Sequence, residues 1–237
     1  NPKAVEISSQ SLISATNLVN KRFTETASWL LAINPAFIGG AMVIARAIAQ
    51  EQKWEYGLDD NAKFSPEIFA GIAQTFIAKQ GRVRTSLVAA QLAALVAQEK
   101  IDLLTKFDAI LVGGGQISPD LFNDLKNQGV NLIRTYGMTE TCGGIVWDGL
   151  ALENVQIRIE NPSHNGAGII SIKSPSNATC YHGDSQGVKN LNEKTFNQGW
   201  VITQDIGSFE NATLKVIGRT DDIVISGGVN ISVHAVE

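Results

Sequence analysis

Residues 134–141 place an aromatic ring, hydroxyl groups and a carboxylate within one short segment. The ring of Tyr136 could stack on a base, and Thr139 and Glu140 carry hard oxygen atoms of the kind that Mg²⁺ prefers beside a phosphate. The same side chains would also suit a capped turn in which Thr139 and Glu140 are simply solvated. The segment therefore indicates either a site for a magnesium-bound nucleotide or an ordinary turn.

Three consecutive glycines, Gly113, Gly114 and Gly115, stand between an apolar stretch at 109–112 and a helix-like stretch that starts at Ser118. A backbone without Cβ atoms can approach a ligand closely and offer free N–H groups to it. A flexible strand-to-helix connection would have the same composition. The glycines predict a ligand loop only in combination with other segments.

Two later segments supply a carboxylate and a guanidinium. Asp205 follows a strand-like stretch at 200–203, and Arg219 follows another at 214–217. A carboxylate near a strand end can accept both hydroxyls of a ribose, and a planar guanidinium suits phosphate or ribose oxygens. A surface ion pair across a hairpin would use the same two residues.

Alternating strand and helix patterns in the first 150 residues must position these segments. The strand-like stretches that helix-like ones separate are 29–33, 85–88, 109–112 and 130–133. Such alternation predicts an α/β fold with a mostly parallel sheet covered by helices. Ligands of such sheets bind beyond the carboxyl ends of the strands, where the glycines at 113–115 and residues 134–141 would emerge.

The pattern changes after about residue 150. Short strand-like stretches are separated by Asn, Gly, Ser and Pro turns, and helical periodicity disappears. We expect a small, mostly antiparallel β subdomain, barrel-like, over 151–217. It would follow an α/β subdomain at 1–150 and precede a hinge region at 218–237.

The composition excludes several classes of protein. Of 237 residues, 44% are hydrophobic and 18% are charged, which is typical of a globular chain. The net charge of −4, without a Lys/Arg cluster, argues against a nucleic-acid surface. No apolar run approaches the roughly 20 residues that span a bilayer. Two cysteines are too few for a disulfide framework, so we expect a reduced, cytoplasmic compartment.

Common catalytic signatures are missing from the sequence. The histidines His164, His182 and His234 lie in the turn-rich last third without a Ser or Cys nucleophile motif around them, which argues against Ser-His-Asp and Cys-His hydrolases. Neither a Walker-type phosphate loop nor a GxGxxG motif is present, which argues against P-loop and dinucleotide-binding proteins.

Taken in order, the candidate segments resemble the motifs of the adenylate-forming superfamily, which includes acyl-CoA synthetases, luciferases and the adenylation domains of peptide synthetases. The matches are 136–140 to YGxTE, 113–115 to the adenine-side glycine loop, 200–205 to the W(x)xTxD segment and 218–221 to the GRxD hinge. Within the superfamily the chain is most similar to the o-succinylbenzoate–CoA ligases of menaquinone biosynthesis. That likeness lies in the segments 85–92 and 225–231 and in the spacing between Gly199 and Arg219.

The resemblance implies a role for each matched residue. The implied nucleotide-binding set is Gly113, Gly114, Gly115, Tyr136, Gly137, Thr139, Asp205 and Arg219. Tyr136 would stack on adenine, Asp205 would accept the ribose hydroxyls, and Asp221 would be the hinge of a C-terminal lid. Thr139 and Glu140 would hold Mg²⁺ and phosphate, and with Arg219 they would be the catalytic residues. The implied acyl and CoA pocket is lined by Phe37, Gly39, Gly40, Thr141, Gly143, Ser226, Gly227 and Gly228.

By the same resemblance, we expect an ATP-dependent acid–CoA ligase that forms an acyl-adenylate and then a CoA thioester. The acid would be o-succinylbenzoate, the metal Mg²⁺, and the co-substrates ATP and CoA; a homo-oligomer is allowed. Two alternatives stay open: another aryl or fatty acyl-CoA synthetase, and a non-catalytic nucleotide-binding homologue.

The chain departs from the superfamily pattern in three places. Only the tail of the phosphate loop is present, at 2–5, and the PxxHxxG segment appears at 35–40 without its His. The lid, with its catalytic Lys, would lie beyond Glu237. We therefore expect most of the large N-terminal domain of such an enzyme, incomplete for turnover by itself.

Overall fold

The computed structural model describes residues 4–220, together with the backbone of residues 223–226 and 229–232. The α-helices of this part of the chain are α1 (Ser9–Asn20), α2 (Ile38–Ala49), α3 (Pro66–Gln80), α4 (Ala89–Ala97), α5 (Ile101–Leu104), α6 (Pro119–Asn127) and α7 (Gln186–Thr195). Four of them begin after a serine whose side chain accepts a hydrogen bond from a backbone N–H of the first turn: Ser8, Ser65, Ser118 and Ser185.

The strands alternate with these helices in the first half of the chain and follow one another more closely in the second. They are β1 (Val5–Glu6), β2 (Ser28–Leu31), β3 (Trp54–Tyr56), β4 (Val83–Val88), β5 (Ala109–Gly113), β6 (Leu132–Met138), β7 (Gly143–Trp147), β8 (Leu150–Ala151), β9 (Gln156–Glu160), β10 (Gly168–Lys173), β11 (Cys180–Tyr181), β12 (Phe196–Asn197), β13 (Trp200–Glu210), β14 (Thr213–Arg219), β15 (Ile223–Ser226) and β16 (Val229–Ser232). A 3₁₀ turn, Thr139–Thr141, connects β6 to β7.

Five parallel strands form the first half of the main sheet, in the order β3–β2–β4–β5–β6. Alternate side chains of a strand point to opposite faces, so Leu30 joins one core cluster with α3, α4 and α6, whereas Trp29 and Leu31 join another with α1 and α2. All four residues of β2 are buried, as a strand covered on both faces must be. The predicted helix-covered, mostly parallel sheet is confirmed.

Strand β6 joins the parallel half of the sheet to the antiparallel half. Its first residues pair with β5 in parallel, and its last four, from Thr135 to Met138, pair with β7 in the antiparallel sense. The sequence analysis ended this strand at Ile133, which was wrong. The strand continues because β7 returns beside it and supplies a second row of hydrogen-bond partners.

The antiparallel strands continue the same sheet in the order β7–β8–β14–β13–β10–β9, with β12 paired to β13. The predicted antiparallel β part is therefore confirmed, and the division of the chain at residues 150 and 217 stays a prediction. The expectation of no helix after residue 150 was wrong, because α7 lies between β11 and β12. Among the described residues, no helix is both long and apolar enough to cross a membrane.

Candidate functional site

A cleft of about 210 Å³ lies between the end of β6 and the facing parts of β11, α7, β13 and β14. Four of the residues predicted from the sequence line it: Gly137, Glu140, Asp205 and Arg219. The other lining residues are Met138, Tyr181, Leu191, Thr195, Val201, Ile202, Thr203 and Gln204. The fold thus brings the motif at 136–140, the motif at 200–205 and Arg219 to one place.

Tyr136, Asp205 and Arg219 form a continuous polar chain at this cleft. The Tyr136 hydroxyl donates to Asp205 Oδ2 at 2.7 Å, and Arg219 Nη1 lies 3.5 Å from Asp205 Oδ1. Asp205 and Arg219 are direct partners across β13 and β14, and Asp205 is only 8% exposed. Burial, and then the neighbouring Asp205 carboxylate, raises the pKa of Tyr136, so its hydroxyl stays a donor.

The contacts with Tyr136 and Arg219 fix the direction of the Asp205 carboxylate. The backbone of Asp205 is held as well: its N–H donates to the Thr203 hydroxyl at 3.0 Å, and that hydroxyl donates to the carbonyl of Ile170 at 2.8 Å. Each carboxylate oxygen has two lone pairs, so both oxygens keep acceptor capacity beside Tyr136 and Arg219. A pair of vicinal hydroxyls, such as those of a ribose, suits this group.

Glu140 lies in the 3₁₀ turn and is held from the side of β11. Tyr181 Oη donates to Glu140 Oε1 at 2.5 Å, and the backbone N–H of Ala178 donates to the Glu140 carbonyl at 2.8 Å. The Ser176 hydroxyl donates to the carbonyl of Thr141 at 3.1 Å. Three bonds from residues 176–181 therefore fix a turn that is distant from them in sequence.

The oxygens of Thr139 and Glu140 fit a magnesium ion. Within the described residues, neither the Thr139 hydroxyl nor Glu140 Oε2 has a hydrogen-bond or ion-pair partner, and both belong to the turn at the cleft. Mg²⁺ is usually bound by one or two carboxylates together with substrate phosphates and water. In the described part of the chain no cluster of three or more His, Cys, Asp or Glu side chains could hold a metal without such a substrate.

The triple glycine lies beside the cleft rather than in its lining. Gly113 ends β5 against Thr135 of β6, and a Cβ on Gly113 would come within 2.6 Å of the Thr135 hydroxyl oxygen. The loop also reaches β14, because Gln116 Nε2 donates to the Ile217 carbonyl at 3.5 Å. Gly114 and Gly115 are exposed. The glycine loop is thus close to the strand that carries Arg219.

The predicted acyl and CoA pocket is placed only in part. Phe37 precedes α2 and is 67% exposed, and Gly39 and Gly40 lie in the first turn of that helix. Thr141 is buried, and its hydroxyl donates to the carbonyl of Gly143 at 2.9 Å. Two further pocket residues, Gly227 and Gly228, and the side chain of Ser226 lie outside the described residues, as does the predicted hinge residue Asp221.

One close approach and one positive φ explain the glycines on the two sides of the β6–β7 turn. A Cβ on Gly137 would overlap the carbonyl oxygen of Gly143. Gly143 itself has φ +97°, which disfavours any other residue. A Cβ there would meet Met42 Cγ at 3.8 Å and Arg46 Nη2 at 4.0 Å, so this end of β7 packs against α2 at ordinary contact distance.

Arg46 of α2 is a buried cation that the sequence analysis missed. It is 5% exposed, its Nη1 lies 3.5 Å from the Ser86 hydroxyl, and its Nε has no hydrogen-bond partner within the described residues. Burial lowers its pKa to about 10. No carboxylate of the described part of the chain pairs with it, and its Nη2 lies beside Gly143 of β7.

Tyr181 and the cleft-facing side of α7 were also missed. Val188, Leu191 and Thr195 follow Ser185 at helical spacing, so a capping serine and one face of a short helix were visible in the sequence. The helix is otherwise polar, which weakened that signal. The contact between Tyr181 and Glu140 had no local signal, because the two residues come from separate segments.

Comparison with known proteins places the chain in a family. A model of the family described as AMP-binding enzyme matches residues 1–182. A probable 2-succinylbenzoate–CoA ligase of Mycobacterium tuberculosis (strain H37Rv) is 30% identical over an alignment of 247 residues, which covers 100% of this chain and 59% of that protein.

Solved structures give the same result. The unliganded o-succinylbenzoate coenzyme A synthetase of Bacillus subtilis superposes with a TM-score of 0.82 at 25% identity, over 100% of this chain and 53% of that one. The same synthetase in complex with AMP superposes with a TM-score of 0.81 at 26% identity, over 100% and 50%. The chain therefore spans little more than half the length of these relatives.

Proposed function

Because this chain belongs to the AMP-binding enzyme family, we propose that the protein activates a carboxylic acid with ATP and transfers the acyl group to CoA. The observation that carries the proposal is the convergence of Glu140, Asp205 and Arg219 on one cleft, with Tyr136 hydrogen-bonded to Asp205. A nucleoside triphosphate needs a carboxylate for its ribose, a cation beside that carboxylate, and a second carboxylate for its metal ion.

The proposed roles follow the observed distances. Asp205, whose carboxylate is held by Tyr136 and whose backbone is held by Thr203, would accept the ribose hydroxyls. Arg219 would contact ribose or phosphate oxygens. The ring of Tyr136 and the glycines at 113–115 would lie on the two sides of adenine. Thr139 and Glu140 would hold Mg²⁺, which when bound would neutralise charge on the phosphate oxygens.

The reaction would proceed in two half-reactions. A carboxylate oxygen of the acid attacks the α-phosphorus of ATP, and the bond to the pyrophosphate oxygen breaks. The sulfur of CoA then attacks the acyl carbonyl, the thiol proton is lost, and AMP leaves. Positioning and charge neutralisation are the main demands of such chemistry, which suits a cleft of fixed polar groups.

Arg46 supports o-succinylbenzoate as the acid. This substrate has two carboxylates, of which one is activated and the other stays anionic. A buried guanidinium without a carboxylate partner among the described residues, next to the turn that carries Thr139 and Glu140, suits the second carboxylate. The ligase names of the relatives agree with this assignment.

The free cysteines Cys142 and Cys180 suit the reduced cytoplasm, which we propose as the location.

Replacing Arg46 by Met is expected to weaken substrate binding without weakening the fold. Loss of a hydrogen bond to a charged group costs about 2 kcal/mol, so KM for o-succinylbenzoate should rise roughly 30-fold. Removal of a desolvated charge should leave the free energy of unfolding unchanged or higher. Both are measured on one preparation, by exchange kinetics and by urea unfolding.

The matched control substrate is 4-oxo-4-phenylbutanoate, which lacks the ring carboxylate. Its KM should be the same in the wild-type protein and in Arg46→Met. An equal rise in KM for both acids would show that Arg46 does not contact the second carboxylate.

The test of the function itself is carboxylate-dependent exchange between ATP and pyrophosphate, measured on the protein at its full native length. A panel of aryl, keto and fatty acids that includes o-succinylbenzoate distinguishes the candidates. Exchange only with other acids would contradict the substrate, and nucleotide binding without exchange would support the non-catalytic alternative.

A further inference from the structure

Tyr181 is a buried phenol whose hydroxyl is aimed at the side chain of Glu140. It is 5% exposed, and its Oη donates to Glu140 Oε1 at 2.5 Å. A phenol has a single hydrogen to donate, and here that hydrogen is directed at the carboxylate. The phenol therefore acts as a hydrogen-bond donor to Glu140.

The Tyr181 ring is held in place by contacts that do not depend on Glu140. The side-chain amide of Asn192 in α7 accepts from the Tyr181 backbone N–H at 2.7 Å and donates to its carbonyl at 3.0 Å. The ring of Phe196 packs edge-on against that of Tyr181, with centroids 5.2 Å apart, and Val5 of β1 is its partner across the strand pair. The donor is thus anchored on β11 and α7, opposite the turn that it contacts.

Only one oxygen of Glu140 is engaged by this donor. Oε1 accepts from Tyr181, whereas Oε2 has no partner among the described residues. A free glutamate side chain loses rotamer entropy when a ligand orders it. A carboxylate that is already held by one oxygen presents the other at a fixed position before any metal arrives.

We propose that Tyr181 is a positioning residue that orients the Glu140 carboxylate, so that Oε2 faces the Mg²⁺ of a bound nucleotide. This inference rests on the proposed function, because it assigns the metal to the same cleft. Residues that hydrogen-bond to a metal ligand typically change metal affinity or activity by about 10–100-fold when they are removed. Tyr181 thereby links the separate strand pair β1–β11 to the metal side of the site.

The test is Tyr181→Phe, which removes the hydroxyl and keeps the ring against Phe196. Calorimetric titration with ATP, in Mg²⁺ and in EDTA, gives the gain in ATP affinity that the metal provides. In the wild-type protein that gain should be present; in Tyr181→Phe it should fall about 10–100-fold. Affinity for metal-free ATP and for AMP should not change, because the adenine and ribose contacts remain.

Two controls separate positioning from general damage. Tyr56→Phe removes a tyrosine hydroxyl far from the cleft, where the ring packs against Trp54, and should leave the gain from Mg²⁺ unchanged. In a Glu140→Gln background, Tyr181→Phe should have no further effect on the metal-dependent gain, because the ligand that it orients has lost its charge.

Each outcome separates the inference from the proposed function. An unchanged metal-dependent gain in Tyr181→Phe, in a protein that binds Mg·ATP, overturns the inference and leaves the function standing. An equal loss of affinity for AMP, ATP and Mg·ATP assigns Tyr181 a purely structural role and also overturns it. A wild-type protein that binds no nucleotide contradicts the proposed function, and the inference with it.

Discussion

Replacing Glu140 by Gln is expected to lower the rate of ATP–pyrophosphate exchange by about 100-fold, with little change in stability. Removal of one charged contact to the transition state typically costs about 3 kcal/mol. Glutamine has the shape of glutamate, and its carbonyl oxygen can still accept from Tyr181, so the turn Thr139–Thr141 keeps its support. Exchange kinetics and thermal unfolding on the same samples measure the two effects.

The matched control is Glu153→Gln, at an exposed glutamate whose ion pair with Lys21 spans 3.4 Å. An exposed pair of this kind contributes little to stability, and it is not part of the cleft. Exchange should therefore continue at the wild-type rate. A Glu140→Gln protein with normal kcat and a lowered melting temperature would give Glu140 a structural role instead.

The second large effect is expected far from the cleft, in the ion pair that joins β4 to β5. Arg84 is 1% exposed; its Nε lies 2.5 Å from Asp108 Oδ2, its Nη2 donates to the Glu25 carbonyl at 2.8 Å, and its guanidinium covers the ring of Phe23. Replacing Asp108 by Asn keeps the shape and removes the charge. A buried guanidinium would then lack its counter-charge, which costs about 3 kcal/mol of unfolding free energy.

Urea unfolding measures this loss as a lower midpoint with an unchanged slope. Asp102→Asn is the control, because Asp102 lies exposed in the first turn of α5. Its effect should stay within about 0.5 kcal/mol. An Asp108→Asn protein as stable as the control would show that the Glu25 carbonyl and Phe23 alone are sufficient for Arg84.

The parallel half of the fold could be predicted because its signals are local. A buried strand such as β2 is a continuous apolar run, and the serines before α3 and α6 mark where those helices start. Each signal lies within the element that it specifies. The predicted bounds of β2, β4 and β5 therefore agree with the structure to within two residues, whereas the end of β6 does not.

The site could be predicted only as a set of motifs. The sequence indicated Asp205 and Arg219 as a pair, and the register of β13 and β14 makes them direct partners. It did not indicate that the Tyr136 hydroxyl would donate to Asp205, because that contact depends on how the two halves of the sheet meet. Contacts between distant segments have no periodicity from which to infer them.

Arg46 illustrates a different limit. Helix α2 is apolar on the side that faces the sheet, and a single arginine within it has the pattern of a surface residue. Its burial depends on the Trp29 ring, whose centroid is 5.4 Å from the guanidinium carbon, and on the backbone at Gly143 nearby. Sequence patterns describe average environments, whereas functional residues often occupy exceptional ones.

Strand β6 is shared by the parallel and antiparallel halves of the sheet, and this sharing limits how the protein can unfold in part. Neither half can detach without breaking the ladder on one side of β6, which carries Tyr136 and Gly137. Partial opening usually follows units that few bonds connect to the rest. Here the nucleotide motif lies on β6, the strand that joins the two halves, so local unfolding of either half disturbs it. The binding surface should therefore be lost together with the whole fold, as one cooperative unit, rather than in stages.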